Sequence, residues 1–425
     1  MKPEAPLVAI RDLRTYYSIR GSFLDRLRGR ESGVVKAVDD ITLEIRRGEV
    51  LGLVGESGSG KTTLGRTILG LVRSTSGAIE FEGRNIAGLR EHDLRPLRLR
   101  MQVVFQDPHA SLNPAMTIAQ AVGHPLQIHG IEKDGGKVRR RVDEALESVG
   151  LAPAEQYMDK YPSDLSGGQK QRAVIARAII LNPVLLVADE PVSMLDMSVR
   201  AKILELMQAL KDDFDLTYLY VTHDLATAKF FCDRIAIMYL GRIVEIGDAE
   251  SIYADPKHPY TRALLDAIPA PDPERAVPRD LPRGEVPDAA SPPLGCSFHP
   301  RCPLAFEPCG WESRDLRDLL EERWTRNAGD PAVEDEAALI GNLDALSTPD
   351  TSVRLDPPRG RKAEDVLALL ERIRNETPDE RFWKGVRRLE VVGGRVELDF
   401  HEPRDPKLLP AGTVEVACHA VNPPA

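Results

Sequence analysis

The sequence has 425 residues, 42% of them hydrophobic and 29% charged, and this balance predicts a soluble globular protein of two or three domains. The formal net charge of −10 leaves no basic excess for neutralising phosphates, which disfavours a nucleic-acid-binding role. No apolar run is long enough to span a bilayer, and the N-terminal residues lack the pattern of a signal peptide. We therefore expect a cytosolic protein that reaches a membrane only through a partner.

Strands and helices alternate along the first 268 residues. Alternating strands are predicted from Leu7 to Ile45, with an Arg- and Gly-rich loop at residues 20–30. Continuously apolar runs predict buried strands at Val50–Val54, Leu185–Ala188, Leu219–Val221 and Ile235–Met238, and helical spacing covers residues 62–71, 116–151, 173–180 and 203–210. This alternation indicates a parallel sheet with crossover helices, which is an α/β fold.

A phosphate-binding loop is predicted directly after the first buried strand. Its pattern G-x-x-x-x-G-K-[ST] is formed by Gly55, Glu56, Ser57, Gly58, Ser59, Gly60, Lys61, Thr62 and Thr63. The glycines let backbone N–H groups curl around a phosphate, and the following helix presents its positive end. Lys61 is expected to reach the β- and γ-phosphates of a nucleotide and Thr62 to hold Mg²⁺, whereas a Gly-rich turn that merely contains a lysine is the alternative.

Two adjacent carboxylates end a later buried strand. Asp189 and Glu190 follow the apolar residues Leu185–Ala188. With a phosphate loop upstream, we expect Asp189 to meet Mg²⁺ and Glu190 to act as the general base that polarises the attacking water. An ordinary acidic strand end is the alternative.

A second anion-binding segment precedes the predicted helix at residue 173. The run Leu165-Ser166-Gly167-Gly168-Gln169 offers a hydroxyl, two glycine amides and a helix N-terminus. One site does not need two cradles for the same γ-phosphate. The pattern therefore predicts that this segment closes over a nucleotide held by another subunit.

The order of these motifs resembles that of the ATP-binding cassette (ABC) family. The resemblance runs over about residues 7–268 and includes the phosphate loop, Gln106, the Ser166–Gln169 run, Asp189-Glu190, Asp196 and His223. It implies a P-loop NTPase fold with a RecA-like core, an antiparallel β subdomain and a helical subdomain at about residues 107–175. It also implies a head-to-tail dimer of cassettes that binds ATP and Mg²⁺.

The resemblance assigns further roles position by position. Tyr17 corresponds to the aromatic residue that stacks on adenine, with Tyr16 as a close rival, and Gln106 to the residue that contacts Mg²⁺ and the attacking water. Asp196 lies in the loop that links the two nucleotide sites, where Met194 replaces the commoner alanine. His223 corresponds to the switch residue that contacts the γ-phosphate. With Glu190 and the second cradle also intact, an active ATPase is expected.

Two segments resemble the ATPases of oligopeptide and dipeptide importers in particular. These are Ser111-Leu112-Asn113-Pro114 and His258-Pro259-Tyr260-Thr261. The resemblance implies an ATPase at the cytoplasmic face of the membrane, with two transmembrane permease subunits and, indirectly, an extracytoplasmic solute-binding protein. The long loop before Val34 favours a heterodimer with a sibling ATPase, and a homodimer is the alternative. The alternative functions are import of a nickel chelate or an oligosaccharide, a soluble cassette ATPase, and a regulatory scaffold.

Four of the five cysteines lie in the last third of the chain. Four thiols without an export signal are suited to a soft metal, either as a zinc site or as an iron–sulfur cluster. The importer resemblance points to a [4Fe–4S] cluster on Cys296, Cys302, Cys309 and Cys418, with Cys418 separated from the others by a long insert whose ends should lie close together. Reduced thiols without a metal are the remaining alternative.

The predicted organisation after the cassette has three parts. Residues 269–310 are expected to form the importer-type extension with a Pro-rich linker, residues 311–409 an α+β insert, and residues 410–425 a return segment that carries Cys418. Within the insert, 365–374 is predicted to be a helix and 389–398 a hairpin with a Gly-Gly turn. No motif in the insert predicts a role.

Overall fold

The computed structural model describes residues 5–19, 33–268 and 284–424. The chain forms two compact units, Met1–Asp255 and Pro256–Ala425, and each is described by itself. The predicted Arg- and Gly-rich loop at residues 20–30 and residues 269–283 of the predicted Pro-rich linker lie outside the described residues.

The first unit contains ten strands and ten helices among its described residues. The strands are β1 (Val8–Ser18), β2 (Val34–Ile45), β3 (Val50–Val54), β4 (Ser76–Phe81), β5 (Arg84–Asn85), β6 (Met101–Val104), β7 (Leu185–Asp189), β8 (Thr217–Thr222), β9 (Arg234–Tyr239) and β10 (Arg242–Asp248). The helices are α1 (Lys61–Ile68), α2 (Glu91–Leu94), α3 (Pro108–Ser111), α4 (Ile118–Ile128), α5 (Gly135–Ser148), α6 (Glu155–Met158), α7 (Gly167–Ile179), α8 (Met197–Phe214), α9 (Leu225–Phe231) and α10 (Ala249–Ala254).

Two sheets form the framework of this unit. The antiparallel sheet has the order β2-β1-β4-β5, and the second sheet runs β10-β9-β3-β8-β7-β6. In the second sheet β9, β3, β8, β7 and β6 are parallel, and every residue of β3, β7 and β8 is buried. These strands do not alternate polar and apolar residues, because both faces of the sheet are buried and carry apolar side chains. The predicted parallel α/β core is confirmed.

The helix that follows the second anion-binding segment begins earlier than predicted. Helix α7 starts at Gly167 rather than Ala173, because Ser166 is its N-cap and Gln169 completes a capping box. In that box the Gln169 backbone N–H donates to the Ser166 hydroxyl, and the Ser166 N–H donates to the Gln169 side chain. Helix α7 packs against α3, α4, α5 and β6.

The second unit has smaller elements. They are α11 (Pro259–Asp266), α12 (Ser313–Arg326), α13 (Pro331–Ile340), β11 (Ser352–Leu355), α14 (Ala363–Glu376), α15 (Phe382–Gly385), β12 (Val386–Val392), β13 (Arg395–Phe400), β14 (Leu409–Ala411) and β15 (Val414–Val416). The strands β11, β13 and β12 form an antiparallel sheet, and β14 pairs with β15. The buried side chains of α14 pack on the apolar face of β12 and β13.

The predicted Gly-Gly hairpin is present in the insert. Gly393 and Gly394 join β12 to β13 with φ of +57° and +81°, a conformation that glycine adopts without a Cβ clash. On β13 the residues Val396, Leu398 and Phe400 are buried and alternate with half-buried charged residues. One face of this sheet is therefore apolar and covered by α14.

The division between the two units differs from the predicted boundary at residues 268–269. Helix α11 lies in the second unit, where the Tyr260 ring stands 5.3 Å from the Phe298 ring. This aromatic contact joins α11 to the segment that carries Cys296 and Cys302. Across the described ranges, no helix has both the length and the apolar character needed to cross a bilayer.

Buried charges hold three helices of the insert together. Glu336 on α13, only 3% exposed, accepts hydrogen bonds from Arg323 on α12 at 2.8 and 2.9 Å and from Arg372 on α14 at 3.0 Å. The hydrogen bonds from Arg323 hold the pKa of Glu336 below its ordinary value. At a pH above the ordinary pKa of a carboxyl group, the ionised Glu336 stabilises the fold. This stabilisation is lost as the pH falls through the lower pKa that Glu336 has in the folded state.

We predict that Glu336→Gln destabilises the second unit by about 2–3 kcal/mol, because it leaves two guanidinium groups without their shared carboxylate. All three tryptophans, Trp311, Trp324 and Trp383, lie in this unit, so denaturation followed by tryptophan fluorescence reports on it selectively. Glu322→Gln is the control, since its ion pair with Arg326 is more than half exposed and should contribute less than about 1 kcal/mol. Equal effects of the two substitutions would contradict the prediction.

Candidate functional site

The phosphate loop joins β3 to α1 in a conformation that requires glycine at one position. Gly60 has φ of +102°, and a Cβ there would lie 1.9 Å from the Ala37 carbonyl oxygen. Neither the backbone angle nor the space admits another residue. The loop is closed by hydrogen bonds from Ser59 N–H to the Glu56 carbonyl and from Gly241 N–H to the Ser59 carbonyl.

The ammonium group of Lys61 lies inside this loop. Its Nζ donates to the carbonyl oxygens of Gly55 at 2.7 Å and Glu56 at 2.8 Å, and lies 3.3 Å from the Ser59 hydroxyl. Lys61 is 5% exposed, and burial lowers the pKa of its ammonium group, against the opposing effect of the Glu190 and Asp189 carboxylates. The Lys61 ammonium is therefore held by neutral carbonyl oxygens, and the oxygens of a bound phosphate could replace these as its acceptors.

Thr62 and Asp189, the two residues expected to hold Mg²⁺, are in direct contact. The Thr62 hydroxyl donates to Asp189 Oδ1 at 3.0 Å. Burial raises the pKa of the Asp189 carboxyl, while the hydrogen bond from Thr62 acts in the opposite direction. Oxygen donors of this kind suit a hard divalent cation.

The carboxylate of Glu190 is held from two sides. Gln106 Nε2 donates to Oε2 at 3.0 Å, and His223 Nδ1 lies 3.0 Å from Oε1. The backbone of Glu190 has φ of +49°, which is uncommon outside glycine, and its N–H donates to the Val221 carbonyl on β8. The structure thus brings together the three residues that sequence analysis predicted to be catalytic.

The second predicted anion-binding segment lies at the start of α7. Ser166 and Gly167 are exposed, while Gly168 approaches α8, where a Cβ would lie 2.8 Å from a Val199 methyl group. Asp196 is also exposed and is the N-cap of α8. Ser166, Gly167 and Asp196 thus lie on the surface. Thr62 instead contacts Asp189, and Gln106 and His223 contact the adjacent Glu190, while both carboxylates act electrostatically on Lys61.

The two adjacent tyrosines of β1 have different environments. The Tyr16 hydroxyl donates to Asp39, which also binds the Arg242 guanidinium at 2.9 and 3.0 Å. Burial and this hydrogen bond raise the pKa of Tyr16 to about 12. Tyr17 is 43% exposed, so its ring is the one available to a ligand.

The four C-terminal cysteines share one electrostatic environment. Burial, together with the smaller effect of neighbouring thiols, raises the pKa of the Cys302 thiol to about 12 and that of Cys309 to about 11. Burial also raises the pKa of Cys296, on which Cys309, Cys302 and Cys418 all act. Within residues 5–19, 33–268 and 284–424, however, no group of three or more His, Cys, Asp or Glu side chains is arranged to hold a metal ion, so metal binding by these four cysteines would require their side chains to rearrange.

Sequence analysis did not select several residues that contact this machinery. Arg200 on α8 binds the loop that precedes it and approaches Asp224, the neighbour of His223. Asp39, which accepts the hydrogen bond from Tyr16, and Arg242, which binds Asp39, were also missed. No motif marks these residues. The one indication for Arg200 in the sequence is its position, one helical turn after Asp196, the N-cap of α8.

Two family models match the chain. Residues 38–193 match the model described as ABC transporter, and residues 244–309 match the model described as oligopeptide/dipeptide transporter, C-terminal region. The oligopeptide transport ATP-binding protein AppF of Bacillus subtilis is 43% identical over 306 residues, which cover 71% of this chain and 91% of AppF. A Brucella ovis protein named for peptide import and ATP binding is 46% identical over 318 residues, which cover 74% of this chain and 95% of that protein.

Solved structures of cassettes are also similar to this chain. A dimeric post-hydrolysis state of the cassette MJ0796, bound to ADP and Pi, matches with a TM-score of 0.50 and 29% identity over 57% of this chain and 98% of that one. The cassette cbiO1 of Clostridium perfringens matches with a TM-score of 0.51 and 28% identity, over 59% of this chain and 92% of that one. The ABC transporter match at residues 38–193 includes the phosphate loop, Gln106, Asp189 and Glu190.

Proposed function

The chain belongs to the family of ABC transporter ATP-binding proteins, with a C-terminal region of the oligopeptide/dipeptide type, and we propose on that premise that it hydrolyses ATP to drive import of dipeptides or oligopeptides. The observation that carries the proposal is the Glu190 carboxylate, held by Gln106 and His223 beside the Thr62–Asp189 pair. The peptide cargo is supported by the names of the relatives and by the match at residues 244–309.

Each residue of the network has a role in this proposal. Lys61 exchanges its contacts with Gly55 and Glu56 for nucleotide phosphates, and Thr62, Asp189 and Gln106 hold Mg²⁺, which neutralises phosphate charge when bound. Glu190 accepts a proton from the attacking water. His223 keeps the Glu190 carboxylate oriented and contacts the γ-phosphate.

The segment Ser166–Gln169, which exposes Ser166 and Gly167, and the exposed Asp196 suit a second cassette. In the proposed assembly they face the nucleotide bound to a sibling ATPase, or to a second copy of this chain, and two permease subunits carry the membrane pathway. The exposure of Ser166 and Gly167 supports this arrangement, because an anion cradle on the surface is available to a nucleotide held elsewhere. The chain then works at the cytoplasmic face of the membrane, with a solute-binding protein on the other side.

We predict that Glu190→Gln lowers ATP turnover of the reconstituted transporter by about 100-fold or more, because an amide cannot accept the proton, while ATP binding is retained. Turnover and uptake of a labelled peptide are measured in the same proteoliposomes. Glu205→Gln, an exposed position on α8, is the matched control and should keep wild-type rates. Unchanged turnover in Glu190→Gln would remove this residue from catalysis, and stimulation by an oligosaccharide or nickel chelate but not by peptides would overturn the cargo.

We propose that Tyr17, and not Tyr16, stacks on adenine, since the Tyr16 hydroxyl is held by Asp39 and the Tyr17 ring is exposed. Tyr17→Ala is predicted to weaken ATP binding by about 5- to 100-fold, the range for loss of one stacked aromatic ring. Tyr16→Phe is predicted to keep ATP affinity and to lower stability by about 0.5–1.5 kcal/mol. Titration with a fluorescent ATP analogue measures both, and the opposite ranking would assign the role to Tyr16.

We also propose that Cys296, Cys302, Cys309 and Cys418 bind a metal as thiolates, as a [4Fe–4S] cluster or, in the alternative, as zinc. Four thiols that act on one another electrostatically supply the right donor type for either metal. The raised pKa values of Cys296, Cys302 and Cys309 mean that these thiols are protonated without a metal, so metal binding must release protons and become stronger with rising pH.

We predict that anaerobically purified protein contains about four iron atoms per chain, or about one zinc atom in the alternative, as measured by elemental analysis. Cys296→Ser should lose the metal. Cys232→Ala should keep it, because Cys232 is a buried thiol of the first unit, next to Gly52. Four titratable reduced thiols and no bound metal in the wild type would contradict the proposal.

A further inference from the structure

Arg200 connects two loops of the first unit that have separate jobs in the proposed function. We define the inter-site loop as Ser193–Asp196 and the switch segment as Thr222–Leu225. Arg200 Nε donates to the Leu195 carbonyl at 2.8 Å and Nη2 to the Ser193 carbonyl at 3.2 Å. Its third nitrogen, Nη1, lies 3.8 Å from Asp224 Oδ2.

The switch segment places Asp224 directly after His223 and holds it by several hydrogen bonds. Asp224 Oδ1 accepts from the N–H groups of Ala226 and Thr227 and so caps α9, and its own N–H donates to the Thr222 hydroxyl. On the other side of the segment, the Tyr253 hydroxyl donates to the Leu225 carbonyl. His223 and the carboxylate that faces Arg200 therefore belong to one short, hydrogen-bonded segment.

The first residue of the inter-site loop, Ser193, is bonded to Glu190, and Glu190 also contacts His223. The Ser193 N–H and hydroxyl both donate to the Glu190 carbonyl, at 3.2 and 3.1 Å. Glu190 binds His223 through its side chain. Glu190 and Arg200 thus lie on either side of the inter-site loop and bind its residues, and both contact the switch segment.

The chemistry of this link requires arginine. A planar guanidinium offers donors along two edges, so one edge can hold two carbonyl oxygens while the other faces a carboxylate. The ammonium of lysine is a point charge and cannot hold that geometry. The Arg200 and Asp224 side chains are 34% and 32% exposed, and an ion pair of this exposure adds about 1 kcal/mol or less to folding. The link therefore contributes to the relative placement of the two loops more than to stability.

We propose that Arg200 is a positioning residue that transmits the state of one nucleotide site to the other. The inference rests on the proposed function, in which the inter-site loop faces the nucleotide of the second cassette. When His223 engages a γ-phosphate, Asp224 moves with it and Arg200 carries the shift to Ser193 and Leu195. The inter-site loop is then correctly placed only when the switch segment is, and the reverse also holds. This mutual dependence makes hydrolysis at the two sites cooperative.

The test is the ATP dependence of turnover in the reconstituted transporter. The wild type is expected to show a Hill coefficient approaching about two, the number of sites. Arg200→Gln and Arg200→Lys are both expected to lower it towards one and to reduce the coupling between the sites by about fivefold or more, with ATP affinity at low occupancy unchanged. Asp224→Asn should have the same effect, and the double variant Arg200→Gln/Asp224→Asn no further effect, because both remove the same link.

Two controls separate this role from a structural one. Lys202→Gln, on an exposed position of the same helix, should keep the wild-type Hill coefficient, and thermal melting of Arg200→Gln should match that of the wild type. Unchanged cooperativity in Arg200→Gln, full cooperativity in Arg200→Lys, or a wild type that hydrolyses ATP without cooperativity would overturn the inference while leaving the proposed function intact. A wild-type assembly without ATP turnover would instead overturn the proposed function, and the inference with it.

Discussion

Hydrogen bonds from two different loops hold the Glu190 carboxylate, and the residue itself has a left-handed backbone. A non-glycine residue in that region costs about 1–3 kcal/mol, so the surrounding structure must impose it. Here the Glu190 N–H is bonded to the Val221 carbonyl of β8, which turns the chain sharply at the end of β7. The strained turn aims the side chain away from the sheet, between Gln106 and His223. Loss of either partner would leave a carboxylate that is only 14% exposed without its orienting contact.

The strand order explains why these residues meet. In the order β3-β8-β7-β6 all four strands are parallel, so their carboxyl ends lie along one edge of the sheet. The phosphate loop follows β3, His223 follows β8, Asp189 and Glu190 end β7, and Gln106 follows β6. Neighbouring strands thus deliver a cation, a base and two orienting groups to one place, although the four segments are far apart in sequence. Ligand sites at this edge are a general property of parallel α/β sheets.

Sequence alone predicted the parts of this site that depend on local pattern. One buried apolar strand is followed by glycines and a lysine, and a second such strand ends in two carboxylates. These patterns predict both the secondary structure and the chemical groups of the site. The pattern did not locate the first turn of α7, because Gly167 and Gly168 are poor helix formers and only the capping box of Ser166 and Gln169 starts the helix there.

Contacts between distant residues were beyond prediction from the sequence for a different reason. Tyr16 and Tyr17 are chemically identical neighbours on opposite faces of β1, and only the fold shows that the Tyr16 hydroxyl meets Asp39, a residue remote in sequence that is itself bound by Arg242. Arg200 likewise has no motif of its own, since its partners are two carbonyl oxygens and one carboxylate that the fold brings within reach. Long-range polar contacts of this kind leave no periodic signal along the chain.

The predicted insert, residues 311–409, leaves and re-enters the second unit at one place. Its two ends lie together as expected, because Arg404 N–H donates to the Pro308 carbonyl, one residue before Cys309, and the Arg404 carbonyl binds His419, next to Cys418. Loop closure therefore costs the surrounding fold little, since the chain leaves and returns at the same point. The extra residues then bury their own apolar face between α14 and the β11-β13-β12 sheet. The insert thus adds a core of its own and leaves the segment with Cys296, Cys302 and Cys309 continuous with the rest of the extension.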